Sequence, residues 1–124
     1  MAKVLIIDDE PGIRDLLDTL LSRKGYAVVL ADGGRKGLEL FRREHPDVVV
    51  LDLNMPEMSG VAVLRQIRTL QPAQPVIVLT GAGTPEQELH VHALGVQEFV
   101  EKEFSLHRLG DALKRLLMPP VPSV

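Results

Sequence analysis

In the run Asp47-Val48-Val49-Val50-Leu51-Asp52-Leu53-Asn54-Met55-Pro56-Glu57-Met58-Ser59-Gly60, an unbroken apolar segment ends on a carboxylate and meets a turn at once. Val48 to Leu51 lack the alternation of a half-exposed strand, so they read as a strand buried on both faces, as in a parallel sheet. Met55-Pro56 and Ser59-Gly60 supply the turn chemistry that follows. Asp52 therefore stands where a central strand leaves its sheet, and open α/β sheets bind ligands just beyond that edge. A carboxylate there is a cap, a loop-tying acceptor or a reacting group. Taken alone, a cap or turn residue is the better reading.

Upstream, Val4-Leu5-Ile6-Ile7 forms a second apolar run, and it too ends on acid, at Asp8-Asp9-Glu10. Pro11 suits a first helical position, and Ile13, Leu16, Leu17, Leu20 and Leu21 recur on one helix face until Gly25. Tyr26 to Ala31 reads as a strand. Asp32 is the expected cap of a helix that carries Leu38 and Phe41 and stops near His45 before Pro46. Gly37 inside that helix costs about 1 kcal/mol relative to Ala, which predicts close packing there or a late helix start.

Downstream of the Asp52 turn, Val63, Leu64, Ile67 and Leu70 mark a helix that ends before Pro72. Pro75 to Thr80 is a strand ending on a hydroxyl. Thr84-Pro85-Glu86-Gln87 spells a capping box with Pro in the first turn, opening a helix that ends near Gly95. Its apolar face is thin (Leu89, Ala93, Leu94), so it should be the least firmly held helix. Gln97 to Glu101 is a fifth strand, followed by Lys102. Ser105 is the expected cap of a last helix with Leu106, Leu109, Ala112, Leu113, Leu116 and Leu117 on one side. Strand and helix alternate five times with short connections, which predicts a parallel sheet covered by helices on both faces.

Parallel strands place their carboxyl ends along one edge. That edge then gathers Asp8, Asp9, Asp52, Thr80 and Lys102. Each has a structural explanation, but strand periodicity alone does not bring them together, and jointly the functional reading wins. Clustered carboxylates repel unless a cation is present. A hard divalent ion such as Mg²⁺ takes carboxylates, waters and phosphate oxygens. Lys102 can neutralise a phosphate or carboxylate, and Thr80 can donate a hydrogen bond to the same oxyanion. A carboxylate nucleophile, a metal, a lysine and a hydroxyl are the equipment for phosphoryl transfer to an aspartate.

Composition narrows the classes. The 124 residues fit a single domain, with a net charge of −3 and scattered Lys/Arg that form no basic patch for nucleic acid. There are no cysteines, which removes disulfides, thiolate nucleophiles and cysteine zinc sites. No apolar run has the length of a membrane span, and the expected location is the cytoplasm. Pro119 to Val124 reads as a proline-rich tail or the start of a linker, which leaves 1–118 as the domain.

At these residues the chain resembles the receiver domains of two-component response regulators. The shared motifs are Asp8-Asp9, then Leu51-Asp52-Leu53-x-Met55-Pro56-x-Met58-x-Gly60, and Thr80, Phe99 and Lys102 in order. The resemblance implies a flavodoxin-like (βα)₅ three-layer sandwich with a five-stranded parallel sheet of order 2-1-3-4-5. It further implies that Asp52 accepts a phosphoryl group from a sensor histidine kinase or a phosphotransfer protein. Asp9, Asp52 and the backbone carbonyl of Asn54 would bind Mg²⁺, with Asp8 assisting through water. Lys102 and Thr80 would hold the phosphoryl oxygens, and Thr80 and Phe99 would form the switch that controls an output domain or protein. Self-catalysed dephosphorylation would end the signal, so the chain is expected to be a switch rather than an enzyme acting on other molecules. A weak dimer through the fourth helix, fifth strand and fifth helix is also expected, without membrane or direct nucleic-acid binding by this segment.

One departure concerns Lys102-Glu103, where the family usually has Lys-Pro with a cis bond. Without proline a cis bond costs about 2.5–4 kcal/mol, so trans is expected. Three other functions compete. An aspartyl-phosphate hydrolase of the haloacid-dehalogenase type needs an acid two residues after the nucleophile, where this chain has Asn54. A flavodoxin-like flavin binder lacks the aromatic residues to sandwich a ring. The remaining alternative is a receiver-like interaction module that works without phosphorylation.

Overall fold

The computed structural model describes residues 1–81, 83–101 and 105–117. Lys102 and Glu103, and with them the aim of the lysine and the geometry of the bond joining them, lie outside the described residues, as do the 119–124 tail and the side chains of Ser105 and Leu106. Five strands alternate with five helices: β1 (Lys3–Ile7), α1 (Pro11–Arg23), β2 (Ala27–Ala31), α2 (Gly34–Glu44), β3 (Val48–Leu51), α3 (Gly60–Leu70), β4 (Val76–Thr80), α4 (Pro85–Ala93), β5 (Glu98–Glu101) and α5 (Ser105–Leu117). All strand pairs are parallel, in the order β2-β1-β3-β4-β5. The parallel sheet is the one expected from the alternation, and its strand order is the one the resemblance implies.

Continuous apolar runs are what a sheet covered on both faces requires. Val4 to Ile7, Val48 to Leu51 and Val76 to Leu79 are essentially inaccessible, whereas the edge strand β2 is only half-buried over most of its length. Two cores result, one on each face. Leu5, Ile7, Val49, Leu51, Val76 and Val78 face α2, α3 and α4, while Val4, Ile6, Val48, Val50, Ile77 and Leu79 face α1 and α5.

Among the described residues, helix ends follow the sequence signals with one exception. Thr84 accepts from the Gln87 N–H and the Gln87 side chain returns the bond, so the capping box forms as expected. The expected Asp32 cap does not form: Gly33 holds the N-cap position of α2, and no side chain caps it. α4 also turns a different face inward, with Val91 fully buried and Leu89 73 % exposed. The face expected from spacing is Leu89, Ala93 and Leu94, but the buried position is Val91. Gly37 packs closely, as its helix cost predicted. A Cβ there would stand 2.6 Å from Ile7 Cδ1, so α2 lies almost directly on β1. Among the described residues, no helix is long and apolar enough to cross a membrane.

Candidate functional site

Register fixes the site. Ile7 pairs with Leu51, so Asp8 and Asp52 leave the sheet side by side, and the Asp52 N–H donates to the Ile7 carbonyl at 2.9 Å. Leu51 pairs with Val78, which brings Thr80 to the same edge two residues on. Thr80 pairs in turn with Glu101, the residue before Lys102 in the chain. Asp8, Asp52 and Thr80 are all buried, at 2 %, 3 % and 0 % exposure. Three strands thus deliver two acids and a hydroxyl to one place.

The loop after β3 is built to hold Asp52 still. The Asp52 carboxylate accepts from the Asn54 N–H at 3.2 Å, and the Gly60 N–H donates to the Leu53 carbonyl at 2.9 Å. Gly60 begins α3 directly against this segment, since a Cβ there would collide with the Asp52 carbonyl oxygen. Ser59 caps α3 by accepting from the Ala62 N–H. Glu57, at φ 68°, takes the left-handed conformation inside the turn, a strained choice for a side chain of its size. The motif from Met55 to Gly60 is therefore a clamp on the strand end.

On the β1 side, Asp8 accepts from the Glu10 N–H at 2.9 Å, and Arg14 reaches back from α1 to the Asp8 carbonyl at 2.8 Å. Asp8, Glu10 and Asp52 each bring a carboxylate oxygen within 4.8 Å of the other two. Asp9 is half-buried and stands outside that group. Three anionic oxygen donors at this spacing suit a hard divalent cation better than any softer metal.

The hydroxyl side is organised by amides. Asn54 Nδ2 donates to Thr80 Oγ1 at 3.1 Å, and Gln87 Nε2 donates to Asn54 Oδ1 at 3.3 Å. The Phe99 ring lies over Gly83, where a Cβ would come within 2.7 Å of Cζ and 3.0 Å of Thr80 Cγ2, so Gly83 makes room for the aromatic beside the hydroxyl residue. Phe99 also lies 6.3 Å from the His92 ring of α4. His90 and His92 are exposed and look to different partners, Arg65 and Glu88.

Sequence reasoning named Asp8, Asp52, Thr80 and Phe99, and the structure gathers them. It named Asn54 for its carbonyl alone and missed the side chain. Glu10, Gly83 and Gln87 were not singled out as site residues. Glu10 continues the acidic run in plain sight. Gln87 was already committed to the capping box, and nothing in that pattern announces a second bond.

The receiver domain profile of response regulators matches residues 4–114. A probable transcriptional regulator ycf27 from Guillardia theta is 42 % identical over 93 % of this chain and 45 % of its own length. The regulatory protein AtoC from Escherichia coli is 36 % identical over 93 % of this chain and 25 % of its own. The chain thus spans about half or less of these relatives. The chemotaxis protein CheY4 of Vibrio cholerae superposes with a TM-score of 0.87 at 33 % identity, covering 94 % of this chain and 99 % of that one. Response regulator TrrA of Thermotoga maritima, solved with Mg²⁺ and beryllofluoride, superposes with a TM-score of 0.86 at 35 % identity, covering 94 % and 100 %. With the fold, the buried strand-end acids and the profile in agreement, the chain belongs to the response regulator receiver domain family.

Proposed function

We propose that this domain is a phosphorylation-activated switch in which Asp52 accepts a phosphoryl group from a phosphohistidine on a sensor kinase or phosphotransfer protein. A carboxylate oxygen of Asp52 attacks phosphorus, the phosphorus–nitrogen bond breaks, and the released imidazole takes up a proton. The observation that carries this reading is the juxtaposition at one sheet edge of buried Asp52, two further carboxylates and the Thr80 hydroxyl. Asn54 two residues after Asp52 supplies no general acid or base, which argues against a hydrolase acting on other substrates.

Asp9, Asp52 and the Asn54 carbonyl would hold Mg²⁺, with Asp8 assisting through water; Glu10, within the acidic group, would add a further negative charge. The ion supplies charge neutralisation for the incoming phosphoryl oxygens. Lys102 and Thr80 take the remaining oxygens. Attack of water on phosphorus later breaks the acyl-phosphate P–O bond, releases phosphate and restores the Asp52 carboxylate.

Phosphorylation adds charge and acceptor oxygens next to Thr80. Thr80 moves toward them, and Phe99, whose ring lies against Gly83, turns inward behind it. The output is read on the face of α4, β5 and α5, through which a weak dimer also forms. α4 is the element with least to lose in moving, since Val91 is its one buried residue. The kinase-coupled reading puts the domain in the cytoplasm, with 119–124 as a proline-rich tail or the start of a linker.

Intact-mass spectrometry after incubation with Mg²⁺ and acetyl phosphate tests this. One phosphoryl adduct, lost in Asp52→Asn, is expected. No adduct, or an adduct that survives the substitution, would leave a phosphorylation-independent interaction module as the better reading.

A further inference from the structure

Gln87 is read from the sequence as a helix cap, yet its side chain does two things at once. Its carbonyl oxygen accepts from the Thr84 N–H at 3.1 Å, and its amide nitrogen donates to Asn54 Oδ1 at 3.3 Å. A backbone N–H is always a donor, so Thr84 dictates which end of the Gln87 amide faces it. The other end is NH₂ and can only donate, which forces Asn54 to present its oxygen. Asn54 then has only its own NH₂ for Thr80, 3.1 Å away. Thr80 Oγ1 is an acceptor toward Asn54, and its single hydrogen is directed elsewhere.

We propose that Gln87 is a positioning residue that, through Asn54, turns the Thr80 hydroxyl into a hydrogen-bond donor for the phosphoryl group on Asp52. From Gln87 to Asn54 to Thr80 each amide donates to the next oxygen, which leaves the Thr80 hydrogen for an acceptor other than Asn54. The direction is set by the first turn of α4, so displacement of that turn withdraws the orientation, and the arrival of a phosphoryl group favours the turn being in place. This inference rests on the reading of Asp52 as phosphoacceptor, and it adds a coupling between that residue and α4 that does not pass through Phe99.

Gln87→Glu is the discriminating variant. It keeps the capping box, because Glu accepts from the Thr84 N–H equally well. It cannot donate to Asn54, so the Asn54 amide turns over and Thr80 spends its hydrogen on Asn54 Oδ1. The measurement is the affinity for beryllofluoride in saturating Mg²⁺, followed by ¹⁵N-resolved NMR in four proteins: wild type, Gln87→Glu, Thr80→Ala and the double variant. The negative charge of Glu weakens binding in both backgrounds alike. The relay adds a loss of about tenfold only where Thr80 is present, the effect of one hydrogen bond to an anion. Equal weakening by Gln87→Glu with and without Thr80 would overturn the relay while leaving Asp52 as acceptor. Failure of the wild type to bind beryllofluoride would overturn the relay together with the phosphoacceptor reading.

Discussion

Replacing Gly37 by Ala pits two effects of opposite sign against each other. In a solvent-exposed helix the change stabilises by about 1 kcal/mol, since glycine has the larger backbone entropy to lose. Here the new methyl would stand 2.6 Å from Ile7 Cδ1 and 2.9 Å from both Cγ1 and Cγ2. Ile7 is fully buried and one residue before Asp8, so its side chain has no open space to swing into. Forcing an added methyl into a filled core costs about 1–3 kcal/mol. The net expectation is a destabilisation of about 1 kcal/mol, with α2 pushed away from the end of β1. Urea unfolding reads it as a lower midpoint at unchanged slope. Ile7→Val removes the nearest atom, so the double variant should lose less than the sum of the two single losses. A Gly37→Ala protein more stable than wild type would refute the close approach of α2 to β1.

Other perturbations bear on separate parts of the structure. In a Mg²⁺ titration followed by NMR, Asp9→Asn should weaken binding at least tenfold, while Glu10→Gln should weaken it less; the reverse order would move direct ligation to Glu10. Arg68 donates to the carbonyls of Leu94, Gln74 and Gly95 at 2.5, 2.7 and 2.8 Å and is desolvated enough that burial lowers its pKa. Arg68→Met should cost about 2 kcal/mol and speed amide exchange through 94–97 first, because three carbonyls lose a charged donor. The Lys3 ammonium holds the Glu44 carboxyl below the usual carboxylate range, mainly by a hydrogen bond. A depressed folded pKa stabilises above the unfolded value and is lost as pH falls through the folded one. Lys3→Met should therefore raise the NMR titration midpoint of Glu44 and change stability near neutral pH more than at acid pH.

Most of the fold was legible because its determinants are local. All-apolar runs such as Val48 to Leu51 can only be strands covered on both faces, and Thr84 to Gln87 announces a helix start. Legibility failed where tertiary contact decides. Asp32 looked like a cap, yet the chain enters α2 at Gly33. Leu89, Ala93 and Leu94 read as the inward face of α4, yet Val91 is the buried residue, because nine residues of weak amphipathicity leave the helix free to rotate until its neighbours settle it. The strand-end acids and Thr80 were found because parallel topology converts sequence position into proximity. The amide chain from Gln87 to Thr80 was not, because it joins side chains 33 and 26 positions apart whose meeting no spacing rule encodes.

The measurement that bears most directly on the account is the location of the phosphoryl group. Borohydride reduction of the acyl phosphate formed with acetyl phosphate and Mg²⁺ converts the modified aspartate to homoserine, and fragment ions of the tryptic peptide from Glu44 to Arg65, which carries both residues, distinguish Asp47 from Asp52. Homoserine at Asp52 alone, with Asp47, Asp8 and Asp9 unaltered, is the predicted result. Reduction at any other carboxylate, or at none while the intact protein carries the adduct, would contradict it.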